Sequence, residues 1–159
     1  NGITRQSTVY AFGGGATTDF AGFVASTVLR GVKWVAVPTT LLGMIDGSIG
    51  GKVAINMPQG KNLLGAFHMP EKVFICGDFL TSLSEKEWIS GKGEVLKYGF
   101  LSKEINDLIM KKSSIEDIAH ACAKFKMEVV GRDFQEQGER IYLNLGHTLG
   151  HAFESQLKI

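Results

Sequence analysis

The chain has 159 residues, 44% hydrophobic and 21% charged, and its 20 glycines against 3 prolines stand out from an otherwise ordinary globular composition. A net charge of +1 excludes a broad electrostatic pull toward nucleic acid or a membrane surface. No apolar run reaches membrane-spanning length, no leader pattern opens the chain, and Cys76 and Cys122 fit neither a metal spacing nor a disulfide framework, so a reduced, cytoplasmic setting is expected.

Thr8–Phe12 is a short apolar run with a β-branched start, read as a buried strand that ends in Gly13-Gly14-Gly15. Glycines there let backbone N–H groups approach an anion with no Cβ in the way. Asp19 stands at the head of a helix expected over Phe20–Leu29. Strand, glycine loop and helix in this order suit a dinucleotide's phosphates, but the spacing is not G-x-G-x-x-G and equally suits a tight turn in any α/β protein. Arg30-Gly31 closes that helix, a cation in the last turn and glycine after it. Trp34–Val37 is the next strand, and Pro38-Thr39-Thr40 puts two hydroxyls at its carboxyl end, where α/β folds bind ligands. Leu41–Ile49 reads as a helix carrying Asp46 amid apolar neighbours, either a structural group or a catalytic carboxylate.

Gly50-Gly51-Lys52 and Gly60-Lys61-Asn62 come next. Lys52–Asn56 and Leu63–Phe67 alternate as two strands of a hairpin turning through MPQG. The pairing is expected to bring Lys52, Lys61 and Asn62 together, a set suited to phosphate or carboxylate, although surface exposure is the usual fate of lysine. Val73–Cys76 is the last short strand. From about Phe79 the period becomes helical, so a domain boundary is expected near residue 80, with residues 1–80 α/β and 81–159 α-helical.

Ser84 and Glu87 have capping-box spacing. Glu94 and Lys97 share a helix face, as an ordinary exposed ion pair also would. Ile105–Met110 and Ile115–Val130 are amphipathic helices. Lys126, Glu136 and Arg140 are charges whose location no local pattern fixes, and His68 and His120 are read as structural or exposed. Leu143–Glu154, LNLGHTLGHAFE, sets His147 and His151 four residues apart on one face of a helix that starts after Asn144 and Gly146. Two imidazoles do not make a metal site, and solvated histidines share that spacing.

Taken in order, GGG-x-x-x-D, RG, PTT, D-x-S-x-GGK, GKN, GEVLKYG and R-x-x-LNLGHTLGHAFE closely resemble the 3-dehydroquinate synthase family from Val9 to Glu154. The resemblance implies a Rossmann-like nucleotide-binding part followed by an α-helical metal- and substrate-binding part, each incomplete, since both ends of the chain read as cut. It implies bound NAD, one Zn2+ or Co2+, a small phosphorylated sugar-acid substrate and a homodimer. The implied reaction converts 3-deoxy-D-arabino-heptulosonate 7-phosphate to 3-dehydroquinate and phosphate, in the shikimate pathway. A hydroxyl is oxidised transiently by NAD, phosphate is eliminated, the ketone is reduced, and the ring closes by an aldol step.

By that resemblance Gly13, Gly14, Gly15 and Asp19 line the NAD pyrophosphate, with Thr39, Thr40, Ser82, Lys52 and Lys61 also on the cofactor side. Glu94 and His147 are metal ligands, and the third, a His in a later helix, falls beyond Ile159. Asp46, Asn62 and Lys97 meet the ring hydroxyls. Lys52, Asn144 and His151 hold the phosphate with the partner subunit's Arg30, and Lys61, Lys126 and Arg140 lie toward the carboxylate. The chain departs from the family pattern at Cys76 (usually Asp), Ser82 (Thr), Lys86 (Arg) and Thr17-Thr18 (a hydrophobic residue and glycine). Rival readings are a sister sugar-phosphate cyclase of the valiolone or deoxy-inosose type, a metal-dependent polyol dehydrogenase, and a fragment with partial binding function.

Overall fold

Two parallel strands form the centre of the α/β part. In a computed structural model of the protein, which describes residues 2–157 and every side chain among them except those of His151, Glu154, Ser155 and Leu157, β1 (Thr8–Gly13) pairs with β2 (Lys33–Pro38) from Thr8↔Lys33 to Gly13↔Pro38. β5 (Lys72–Val73) pairs with the other edge of β2. As the middle strand, β2 buries Trp34, Val35 and Ala36 in succession rather than alternating, as a parallel strand covered on both faces does.

Helix α1 spans Gly15–Thr27, so it begins earlier than the expected Phe20, and Asp19 sits in its second turn instead of capping it. The reason is the short reach of the loop: Gly14 takes the extended N-cap conformation directly after the strand, and the Thr18 hydroxyl bonds back to the Gly15 carbonyl. The chain then tightens into a 3₁₀ turn, Val28–Arg30, ending at Gly31 with φ +113°. α1 lies very close to its neighbours at Gly22, where a Cβ would stand 2.4 Å from Val53 Cγ1 and 3.0 Å from the Trp34 ring.

The expected helix over Leu41–Ile49 is a widened π-helical turn, Gly43–Gly47, in which Ser48 bonds the Gly43 carbonyl through both its N–H and its hydroxyl. The wide turn buries Met44 and Ile45 fully and leaves Asp46 partly open. β3 (Lys52–Met57) and β4 (Gly60–Phe67) make the expected antiparallel hairpin, from Lys52↔Phe67 to Met57↔Gly60. This register puts Lys61 beside the turn and Lys52 at the opposite end, so the expected meeting of the two lysines does not occur. The expected strand Val73–Cys76 is only the two-residue β5, because the chain turns off into a 3₁₀ turn, Gly77–Ser82. His68 is structural: its N–H donates to Gly51, its carbonyl accepts from Trp34 Nε1, and its ring meets the Val32 carbonyl.

The helical part is α2 (Glu85–Leu101), α3 (Lys103–Met110), α4 (Ile115–Arg132) and α5 (His147–Leu157). Ser84, Ser102 and Ser114 cap the first three, each accepting a backbone N–H of the first turn. Two apolar cores result. One joins Ala11, Ala25, Trp34 and Val53 between α1, the sheet and the hairpin; the other joins Tyr98, Ile105, Cys122 and Val129 of the helices to Leu41, Met44 and Ile45. No helix among the described residues is long and apolar enough to cross a membrane.

The close approach at Gly22 is testable. Alanine there gains roughly 1 kcal/mol of helix propensity, but its methyl collides with two buried side chains, and overpacking of this kind costs about 1–3 kcal/mol. Gly22→Ala is therefore expected to lower the denaturation midpoint, as urea titration will show.

Candidate functional site

Between the hairpin, the π-helical turn, α4 and the segment before α5 lies a cleft of about 240 Å³. Its lining includes Asp19, Asp46, Lys52, Asn62, Lys126, Glu136, Arg140, Asn144 and His147. A second hollow of about 270 Å³ runs along the hairpin and shares Asp19, Lys52 and Asn62.

Asp46 is the fixed charge of the cleft. Lys126 Nζ donates to its carboxylate and to its carbonyl, both at 2.6 Å, and the Tyr98 hydroxyl donates to the same carboxylate at 2.8 Å. Burial works against the carboxylate, but Lys126 and Lys97 with these hydrogen bonds outweigh it and hold Asp46 well below the usual carboxyl range. Burial pushes the Lys126 ammonium down, and the attraction of Asp46 opposes it. Burial also pushes Asp19 up to about 6, against the pull of Lys126 and with the help of Asp46.

Arg140 is 2% exposed, and its guanidinium donates to the carbonyls of Gly50 at 2.9 Å and Phe134 at 2.5 Å. It therefore pins the start of the hairpin to the 133–139 loop while lining the cleft. Asp133 shapes that loop from the other side, accepting the N–H groups of Gln137, Gly138 and Arg140. Glu136 projects from it into an ion pair with Lys52, and Asn144 Nδ2 donates to its second carboxylate oxygen at 2.7 Å.

Glu94 and Lys97 form an ion pair on α2, and Lys97 Nζ donates to the Leu143 carbonyl at 2.6 Å. Lys97 Nζ lies directly against the buried Glu94 Oε1, and among the described residues no other group donates to that oxygen. Burial and then the charge of Asp46 push Glu94 up. A buried carboxylate paired only with a neighbouring lysine and crowded by the carboxylate of Asp46 is a chemical environment that a divalent cation relieves. His147 lines the cleft at the first residue of α5. No group of three or more His, Cys, Asp or Glu side chains able to hold a metal is present among the described residues. Cys122 is an inert core thiol, pushed up to about 12 by burial.

At the carboxyl ends of β1 and β2 the glycine loop is tightly enclosed. A Cβ on Gly13 would meet Thr17 Oγ1 at 2.6 Å, and one on Gly14 would meet Thr40 Cγ2 at 3.0 Å. Thr39 N–H donates to the Gly13 carbonyl, and no side chain caps the N-terminus of α1. Uncapped N–H groups at a helix start, directly after a glycine turn, are a place where a phosphate oxygen can be accommodated.

The structure thus gathers Asp19, Asp46, Lys52, Asn62, Lys126, Arg140, Asn144 and His147 in one cleft, with Glu94 and Lys97 behind Asp46. Lys61 is exposed and is not in its lining. Ser82 bonds the Phe79 carbonyl in the 3₁₀ turn, whose Phe79 packs edge-on against Phe12 of β1. Arg30 is exposed at the far end of α1, roughly 20 Å from Gly15 at 1.5 Å rise per residue. The His151 side chain lies outside the described residues. Two residues of the site have no functional reading in the sequence. Tyr98 lies within GEVLKYG and could have been found there; Glu136 had no local signal, because its partner Lys52 is 84 residues away.

Residues 1–90 match the profile of 3-dehydroquinate synthase N-terminal, and residues 91–159 that of 3-dehydroquinate synthase C-terminal. Among curated proteins, the 3-dehydroquinate synthase of Clostridium perfringens is 46% identical over 96% of this chain and 46% of its own length. That of Halalkalibacterium halodurans is 48% identical over 98% of this chain and 46% of its own. The chain therefore spans about half the length of the curated relatives it matches. Among solved structures, a 2-deoxy-scyllo-inosose synthase complexed with carbaglucose-6-phosphate, NAD+ and Co2+ superimposes with a TM-score of 0.82 at 30% identity, over 96% of this chain and 44% of its own.

Two substitutions probe this geometry. Asp19 binds its proton more tightly folded than unfolded, so its stabilising contribution is complete below about pH 4 and is lost as pH rises through about 6. Asp19→Asn is expected to narrow the difference between urea midpoints measured at pH 5 and pH 7. Arg140→Ala strands two carbonyls and empties a buried site, with an expected loss of about 2–4 kcal/mol, read as a lower thermal midpoint.

Proposed function

The chain belongs to the 3-dehydroquinate synthase family, and we propose that the protein converts 3-deoxy-D-arabino-heptulosonate 7-phosphate to 3-dehydroquinate and phosphate, with NAD and a zinc or cobalt ion. The observation that carries this reading is the single cleft in which Asp46, Lys52, Asn62, Lys126, Arg140, Asn144 and His147 converge from remote parts of the chain. Identity of 46–48% to curated 3-dehydroquinate synthases, against 30% to the deoxy-inosose synthase, favours this activity over a sister cyclase.

In this reading Gly13–Gly15, the α1 N-terminus, Thr39 and Thr40 hold the dinucleotide's pyrophosphate, and Glu94 with His147 contributes ligands to the metal. When bound, NAD accepts and returns a hydride while the metal polarises the hydroxyl being oxidised. Lys52 and Asn144 bind the phosphate end, and Asn62 meets the ring hydroxyls. Asp46, kept ionised by Lys126 and oriented by Tyr98, accepts a hydrogen bond from a ring hydroxyl. Lys97, paired with Glu94 and bonded to the Leu143 carbonyl, supplies a cation beside the metal ligand and meets the ring hydroxyls. The guanidinium of Arg140 has two carbonyl partners already, so its contribution is to fix the cleft wall and supply positive charge toward the carboxylate. Positioning by these groups is the protein's main contribution to rate.

Arg30 cannot reach this cleft from its own chain and serves a site only across a homodimer contact. The division near residue 80 is proposed as the boundary between the nucleotide-binding and the helical part, with Leu41, Met44 and Ile45 crossing it into the helical core.

The test is phosphate release from the heptulosonate phosphate in the presence of NAD and zinc. His147→Ala is expected to abolish metal-dependent turnover while leaving the fold intact by circular dichroism. Turnover of glucose 6-phosphate to a deoxy-inosose, with none of the heptulosonate phosphate, would assign the protein to the sister activity.

A further inference from the structure

Glu136 occupies the place that the proposed function reserves for the substrate's phosphate. Its two carboxylate oxygens are divided between Lys52 Nζ and Asn144 Nδ2, the same two donors. We propose that Glu136 is an internal competitor for this anion site: its carboxylate fills the site when substrate is absent and swings out when a phosphate group arrives. The proposal rests on the phosphate-site reading of Lys52 and Asn144.

The surroundings support displacement over a permanent ion pair. The loop is anchored on both sides of Glu136, by Asp133 at Gln137 and Gly138 and by Arg140 at the Phe134 carbonyl. Glu136 itself is held at φ +59°, a left-handed conformation that costs a non-glycine residue free energy. A shift of this one residue releases that strain and leaves both anchors in place. Charge counting points the same way. Asp19, Asp46 and Glu136 balance Lys52, Lys126 and Arg140 in the lining, three acids against three bases. Removing Glu136 leaves an excess of one positive charge facing an arriving dianion. Lys52 is 45% exposed and can follow either partner.

The consequence is a built-in penalty on every anion that needs this site. A phosphate dianion with three acceptor oxygens satisfies Lys52 and Asn144 more fully than a carboxylate and displaces it. A neutral sugar leaves Glu136 in place.

The experiment uses the intact protein and inorganic phosphate as the probe. Binding is measured calorimetrically for the wild type, Glu136→Gln, Lys52→Met and the double variant, with Glu136→Ala as a second removal of the charge and thermal midpoints confirming folding. Loss of the competitor is expected to tighten phosphate binding about threefold to tenfold, the range of one partly exposed charge-assisted contact. Phosphate is also expected to speed amide exchange across residues 134–139 in the wild type. Unchanged or weaker binding by both Glu136 variants overturns the proposal and makes Glu136 a positioning residue for Lys52. If Lys52→Met binds phosphate as tightly as the wild type, the phosphate-site reading itself fails, an outcome separate from the first because it appears without any change at Glu136.

Discussion

The ion pair between Asp46 and Lys126 is the joint on which the molecule turns. Asp46 comes from a turn that follows the parallel sheet, and Lys126 from the middle of α4, 80 residues later. Lys126 is nearly buried, so its ammonium is tolerable only with the carboxylate and carbonyl of Asp46 in contact. Such a pair adds little net stability compared with apolar residues, but losing one partner leaves the other charge buried alone and is costly. Tyr98 reinforces it from α2 and belongs to the helical core, which also takes in Met44 and Ile45 of the turn Gly43–Gly47 itself. The site's central carboxylate is thus held at the edge of the helical core.

The rest of the cleft extends outward from that joint in charged pairs. Arg140 ties the hairpin to the loop before α5 through backbone carbonyls, and Lys97 ties α2 to Leu143 in the same way. Both long cations thereby serve as struts whose heads remain close to the cavity. This explains how one sequence position can be both structural and functional: the carbonyl bonds fix a charge that a ligand then meets already oriented. Glu94 stands behind Asp46, with Lys97 against its buried carboxylate oxygen.

The chain belongs to the 3-dehydroquinate synthase family, and its cleft gathers cations, amides and carboxylates from remote parts of the sequence. That cleft is balanced in charge, with the Glu136 carboxylate set between Lys52 and Asn144. The glycine loop at the ends of β1 and β2 leads into the start of α1, and Gly15 lies beside Gly47 of the cleft lining.

Local pattern alone determined the strand at Thr8, the hairpin, the serine-capped helices and the glycine cradle, because periodicity, turn residues and caps act over a few neighbouring residues. It also marked His147, Glu94 and Lys97 as residues on helix faces, and the ordered motifs marked the family. Tertiary structure decided the rest. The start of α1 depended on how soon after the strand the backbone could turn, and the widened turn at Asp46 on the core it had to enter. Lys61 and Lys52 were separated by hairpin register, which spacing does not express. The roles of Tyr98, Arg140 and Glu136 came from partners 52, 90 and 84 residues away. Charges carry no periodic signature, so which opposite charge each one meets is known only when the chain has closed on itself.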